Sequence, residues 1–389
     1  MMKKIEYILK HNRLALNLYR FFVGGFFRLW GLFVKTDEKL ILFSGLGKRY
    51  NDSPRAIYEY MVATGLDKSY KCVWAVDDPN KYQFPCQTNV VISDSMDYFK
   101  TALKAKYWIC CVNIERGLKF KKKNTIFLNT WHGAMINLCG NAVGIRNDFD
   151  FGNVNYMSIS GEYERNFVVR DFAIPSNQVV LTGLPRNDEL YSANEEKIKS
   201  LKKELGLPND KKVVLYAPTW RDSADLGKEY VLAPPIDWEF WEQELGKEYV
   251  LLLRTHPNTT KLMNVEFNDF VRDYSNYSKI NDLMIVSDIL ISDYSSTIMD
   301  YCILDRPIIC FGYDYDEYIK HRGFYFDLDK TIPGGIVRDE KNVVSRIKNM
   351  DYLKEKKLVK QFHKDHIEAD GHATERCINL LLHGINDYK

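Results

Sequence analysis

Charge of one sign is what this 389-residue sequence most lacks: 54 Lys and Arg against 52 Asp and Glu leave a formal +2. So small an excess, with no basic stripe interleaved with aromatics in the body of the chain, excludes a dedicated nucleic-acid binder. Metal-site spacing is missing as well. The eight cysteines, at 72, 86, 110, 111, 139, 302, 310 and 377, include no Cys-x-x-Cys and no Cys/His cluster at zinc spacing. Cys110, Cys111, Cys302 and Cys310 fall inside apolar runs, which reads as reduced core cysteine of an intracellular protein. No internal repeat and no low-complexity linker breaks the chain. With 46% apolar and 27% charged residues over this length, two globular domains are expected.

A membrane-crossing segment is absent too, although the N-terminus comes near to one. Residues 3–35 carry seven Lys and Arg (Lys3, Lys4, Lys10, Arg13, Arg20, Arg28, Lys35) against Glu6, so the segment holds +6 and the remainder −4. As a span, Arg20 and Arg28 would each cost roughly 2.5–3.5 kcal/mol near the bilayer centre. That is about what the Leu, Phe and Val of residues 14–34 return at roughly 0.3–0.6 kcal/mol each. A signal peptide is excluded by the interrupting arginines and by the lack of a small-residue cleavage site. Polar or small residues recur in steps of three and four at Lys10, Arg13, Asn17, Arg20, Gly24, Arg28, Gly31 and Lys35, on one narrow helical face. The expected element, over 1–35, is an amphipathic helix in the membrane interface with its cations toward anionic headgroups. The competing reading is a helix docked on the protein's own body. Gly24-Gly25 is where either would bend or break.

What is present in the body is alternation. Strand-length apolar runs at Leu40–Ser44, Cys72–Val76, Tyr107–Val112, Ile126–Thr130, Tyr156–Ile159 and Val179–Thr182 alternate with helical patterns. A second set follows at Val213–Ala217, Tyr249–Arg254, Ile289–Ser292 and Ile308–Phe311. This is the pattern of parallel sheets covered by helices. Pro218, Pro257 and Pro307 sit at strand ends, where a missing N–H does least harm. The fold expected is α/β, with two doubly wound domains, 36–190 and 191–372. Helical segments are read at 192–205, 339–349, 352–368 and 373–383.

Four motifs end strands: Thr130-Trp-His-Gly133, Ala217-Pro-Thr-Trp-Arg221, Arg254-Thr-His-Pro257 and Ser292-Asp-Tyr-Ser-Ser-Thr297. Ligands of open α/β sheets collect beyond the carboxyl ends of strands, so His132 and His256 suggest two halves of one site. A single strand-end histidine is more often structural. Ser295, Ser296 and Thr297 precede the helical pattern Ile298–Leu304 and would offer free N–H groups to phosphate, or simply cap that helix. Arg254 and Arg221 would add bidentate contacts to phosphate oxygens.

In this order and spacing, the four motifs resemble those of the CDP-glycerol glycerophosphotransferase family of teichoic acid and polyol-phosphate polymer biosynthesis. Phe43-Ser-Gly-Leu-Gly47, Tyr50-Asn-Asp-Ser-Pro54, Thr182-Gly-Leu-Pro-Arg-Asn-Asp188, Asp305-Arg-Pro-Ile-Ile309 with Tyr313-Asp314, and Asp370-Gly371 with Glu375-Arg376 extend the likeness over residues 38–380. One departure is local: the family commonly continues Trp-His-Gly with Thr-Pro and then Lys, where this chain has Ala134-Met-Ile-Asn137.

The resemblance implies a GT-B fold and a nucleotide donor held mainly by the second domain. It also implies no metal or cofactor, a monotopic anchor at the cytoplasmic face of the plasma membrane, and a closing helix, 373–389, that returns to the first domain. His132 would be the general base and His256 a donor-side group stabilising the leaving CMP. Trp131, Gly133, Arg186, Thr219, Arg221, Arg254, Asp293, Ser295, Ser296, Thr297, Asp300 and Arg376 would bind substrate. The partners implied are a CDP-polyol, a lipid-linked saccharide or polyol-phosphate acceptor and an anionic membrane surface, with homo-oligomerisation left open. A ribitolphosphotransferase using CDP-ribitol and a GT-B glycosyltransferase using a nucleotide sugar are the competing activities. A catalytically idle scaffold is the non-enzymatic one.

Overall fold

A computed structural model describes residues 7–9, 11–143, 148–219, 234–255 and 263–385. The first sheet comprises β1 (Asp37–Ser44), β2 (Lys71–Val76), β3 (Asn89–Ile92), β4 (Ala105–Cys110), β5 (Ile126–Asn129), β6 (Tyr156–Ile159) and β7 (Val179–Leu181). The second comprises β8 (Lys212–Tyr216), β9 (Tyr249–Leu253), β10 (Val271–Asp273), β11 (Ile289–Ser292), β12 (Ile308–Phe311) and β13 (Ile336–Val337). Every pairing among these thirteen strands is parallel, in the orders β3-β2-β1-β4-β5-β6-β7 and β10-β9-β8-β11-β12-β13. The central strands are near-continuous apolar runs because helices cover both faces: all of Tyr249–Leu253 and Ile308–Phe311 is buried.

The chain divides into two compact units. One contains Met1–His132, Cys139–Asp188 and Glu368–Lys389, the other Gly133–Leu138 and Glu189–Ile367. The helix Ala373–His383 belongs to the first unit, where Cys377, Ile378, Leu380 and Leu381 pack with Ile41, Phe43, Leu128 and Val180. The excursion of Gly133–Leu138 into the second unit is not visible in the sequence, which places those residues inside an uninterrupted first domain.

The helix Arg13–Phe33 is capped by Asn12, whose side chain accepts from the Ala15 N–H (3.0 Å). It runs through Gly24-Gly25 without a break and docks on the protein's own body, the competing reading, so that Arg20 and Arg28 face the first unit. The narrow polar face docks on the first unit. Arg20 Nε donates to the Gly117 carbonyl (3.1 Å) and Arg28 Nη1 to those of Leu118 (3.5 Å) and Lys119 (3.3 Å). Gly24 and Gly31 are what permit the approach: a Cβ at Gly24 would lie 2.3 Å from the Leu118 carbonyl oxygen, and one at Gly31 3.1 Å from Leu103 Cδ2. Phe27 is buried on this side, while Leu18, Phe22, Phe26, Leu29 and Phe33 are exposed on the other. The physical reason is that an arginine on a docked face can satisfy its donors on loop carbonyls, which the sequence pattern does not reveal. Among the described residues, no helix is long and apolar enough to cross a membrane.

Candidate functional site

In the first unit the order of strands reverses between β1 and β4, and the loops beyond their carboxyl ends form the setting of His132. His132 follows β5 after Thr130 and Trp131. Asn129 shapes this turn: its side chain accepts from the Trp131 N–H (2.9 Å) and donates to the Val112 carbonyl (2.8 Å), with Trp131 in the left-handed region at φ 50°. The Trp131 ring lies against Phe172 (centroids 4.5 Å apart) and His132 (4.0 Å).

His132 Nδ1 is 3.0 Å from the Cys111 carbonyl, the first residue beyond β4. A carbonyl only accepts, so the proton of the neutral ring sits on Nδ1 and the lone pair on Nε2. Burial holds the imidazole below its ordinary pKa, outweighing the Cys111 carbonyl and the nearby Asp52 carboxylate, which act the other way. Arg186 Nη1 clamps the arrangement, donating to the His132 carbonyl (3.0 Å) and to Asp52 Oδ2 (2.9 Å). Arg186 therefore orients the histidine loop. Asp52 starts the helix Asp52–Ala63, and its place in the cluster was not foreseen. The signal available was the Asn51-Asp52-Ser53-Pro54 helix start, which reads as capping alone.

In the second unit the strand order reverses between β8 and β11. At the carboxyl edge of this switch point lies a cavity of about 200 Å³, lined by Ala217 and Pro218 beyond β8, Arg254 and Thr255 beyond β9, Ser295 and Thr297 beyond β11, and Ser275 and Ile280. Arg254 is its dominant charge. Nη1 donates to the carbonyls of Tyr274 (3.3 Å) and Tyr277, and no carboxylate pairs with the guanidinium among the described residues. Desolvation alone lowers its pKa. A partly buried cation with no carboxylate partner among the described residues suits this cavity chemically to an anion.

The loop Ser292–Ser295 is held rigidly. Asp293 Oδ1 accepts from the Thr219 N–H (2.8 Å), the Thr219 hydroxyl and its neighbour's N–H on Tyr294 (2.7 Å), and Tyr294 Oη donates to Asp314 (2.9 Å). Thr219 and Asp293 thus brace the two loops that line the cavity. The helix beyond, Thr297–Tyr301, has only five residues before tightening into a 3-10 turn at Cys302–Leu304, so its dipole is short. Ser295 Oγ accepts from the Thr297 N–H (3.2 Å), the capping role that was the structural alternative for this motif. Ser296 precedes the helix without a side-chain cap, and Asp300 is buried within it. The anion-binding case therefore rests on Arg254 and the cavity rather than on a helix end.

Arg376 is engaged elsewhere in the first unit, by Asp370 and the Thr182 carbonyl (3.4 Å). Gly133, whose neighbours Ala134 and Met135 are buried, belongs to the second unit. His256 and Arg221 lie outside the described residues. Thr255 and Ser275 were missed as cavity residues. Ser275 lies just beyond β10, a strand too short and polar to be read from the sequence.

Residues 26–383 match the model of the family described as CDP-Glycerol:Poly(glycerophosphate) glycerophosphotransferase. The teichoic acid poly(glycerol phosphate) polymerase of Staphylococcus epidermidis is 31% identical over 379 residues, covering 91% of this chain but 52% of that protein. The chain thus spans about half the length of that relative. The teichoic acid glycerol-phosphate transferase of Staphylococcus aureus is 33% identical over 371 residues, covering 89% of this chain and 93% of the transferase. Among solved structures, that of the wall teichoic acid polymerase TagF superposes with a TM-score of 0.82 at 29% identity, over 98% of this chain and 97% of the other. A family match over nearly the whole length, with two doubly wound units and a structural likeness of this extent, leads to one assignment: the chain belongs to the CDP-glycerol:poly(glycerophosphate) glycerophosphotransferase family.

Proposed function

We propose that this chain transfers glycerol phosphate from CDP-glycerol to a hydroxyl of a lipid-linked saccharide or polyol-phosphate polymer at the cytoplasmic face of the plasma membrane, releasing CMP. The observation that carries the reading is Arg254, a guanidinium on the cavity at the β8/β11 switch point that no carboxylate among the described residues pairs. The donor diphosphate supplies the anion it lacks. His132 supplies the base: Nε2 takes the proton of the acceptor hydroxyl, the freed oxygen bonds to the β-phosphorus, and the bond from that phosphorus to the CMP oxygen breaks, its electron pair leaving with CMP. Positioning and charge stabilisation do most of the work in such transfers. The reading gives no role to a metal ion or cofactor.

Arg254→Ala tests it. Charge-assisted hydrogen bonds contribute about 1.5–3 kcal/mol, so the dissociation constant for CDP-glycerol is expected to rise about 10–100-fold. Calorimetric titration reads this directly, and an unchanged constant would remove the cavity as the diphosphate site.

The exposed face of the helix Arg13–Phe33 supports the membrane part of the reading. We place that apolar face, rather than the cations, in the lipid interface, with Arg20 and Arg28 spent on docking the helix to the first unit.

A further inference from the structure

The segment after His132 is tied into the second unit by an isolated β-bridge and the backbone hydrogen bonds around it. Leu138 N–H donates to the Gly323 carbonyl (3.1 Å), Tyr325 N–H to that of Ile136 (2.9 Å), and Arg322 Nε to that of Leu138 (3.0 Å), with Asn137 bridged antiparallel to Phe324. Ala134, Met135 and Ile136 are buried, which anchors the segment in the second unit. Asn137 projects from this anchored backbone. Its Nδ2 donates to the Tyr294 carbonyl (2.8 Å), and the next residue, Ser295, lines the cavity. Because a carbonyl only accepts, this bond fixes which end of the amide faces the loop, and Oδ1 cannot exchange places with Nδ2. Oδ1 is buried and has no hydrogen-bond partner among the described residues.

An orphaned buried acceptor is disfavoured, and folded proteins keep few of them without a use. Only a hydrogen-bond donor satisfies it. The diphosphate of a CDP-polyol offers acceptors alone, so the matching group is a hydroxyl or an amine. Of these, the hydroxyls of the polyol stay closest to the phosphorus under attack, and Asn137 is five residues along the chain from the proposed base. Resting on the CDP-polyol reading above, we infer that Asn137 Oδ1 accepts a hydrogen bond from a hydroxyl of the transferred polyol, making Asn137 a specificity-determining residue for the donor.

The test compares CDP-glycerol with CDP-propane-1,2-diol and CDP-propane-1,3-diol, each lacking one glycerol hydroxyl. The unsubstituted protein is expected to favour CDP-glycerol over at least one of them by about tenfold in kcat/KM. Asn137→Ala lowers CDP-glycerol to the level of that deoxy donor and leaves the deoxy donor itself within about twofold. Asn137→Lys, which retains a donor for the Tyr294 carbonyl but no acceptor, loses the discrimination too while keeping an unaltered melting temperature. No discrimination in the unsubstituted protein, unchanged discrimination in both variants, or equal losses for all three donors would overturn the inference. Calorimetric dissociation constants give the same ratio without turnover. A protein that binds CDP-glycerol yet releases no CMP therefore sinks the transfer reading and still decides the role of Asn137, and binding of none of the three donors overturns both.

Discussion

Alanine at position 132 is expected to lower the rate of CMP release by about 10²–10⁴-fold while CDP-glycerol binding stays within about twofold, because on the proposed mechanism the change removes a proton acceptor and not a donor contact. The tautomer locked by the Cys111 carbonyl leaves Nε2 as the basic atom, so the effect is one of chemistry. The pH dependence follows from the same geometry. Burial lowers the imidazole pKa, so the neutral, competent form persists below the ordinary value of about 6.5 and is lost as pH falls through the depressed one. The acid limb of kcat/KM is accordingly expected below pH 6.5, and a rate profile over pH 4–8 checks it. If donor binding collapses together with rate, His132 is a ligand of the diphosphate and the base must be sought elsewhere.

The second large effect concerns the membrane. Phe22, Leu29 and Phe33 are exposed along one side of the helix Arg13–Phe33, opposite Gly24 and Gly31. Each apolar side chain buried in lipid contributes about 1.5–3 kcal/mol, so replacing all three by Asp is expected to lower partitioning onto anionic vesicles by at least about a thousandfold. Cosedimentation with phosphatidylglycerol vesicles measures this. The melting temperature should hold, since these side chains touch solvent in the folded chain. Retained vesicle binding would show that another surface carries the association.

Ten of the thirteen strands among the described residues were legible as apolar runs, and the three that were not share a cause. β3, β10 and β13 lie at sheet edges, where one side is unpaired and burial is partial: Val271–Asp273 and Ile336–Val337 are too short and too exposed to leave a pattern. The site divided similarly. Residues that follow central strands, such as His132 in the first unit and Arg254 and Ser295 in the second, were visible because topology brings strand ends to the carboxyl edge of their own sheet. Asp52, Ser275 and Asn137 were not, because their positions are set by loops and by a segment, Gly133–Leu138, that belongs to the second unit. The N-terminal helix shows a further limit. Periodicity located its two faces correctly but did not say which one docks, because glycine and arginine on one stripe suit a close backbone approach as well as a polar surface.

The central claim is the transfer of a polyol phosphate, and the nucleotide released tests it most directly. Incubation of the full chain with CDP-glycerol and a lipid-linked acceptor in vesicles, followed by mass spectrometry, is expected to yield CMP and an acceptor heavier by one or more glycerol phosphate units. Transfer from a nucleotide sugar with release of a nucleoside diphosphate, and no CMP from CDP-glycerol, would contradict it.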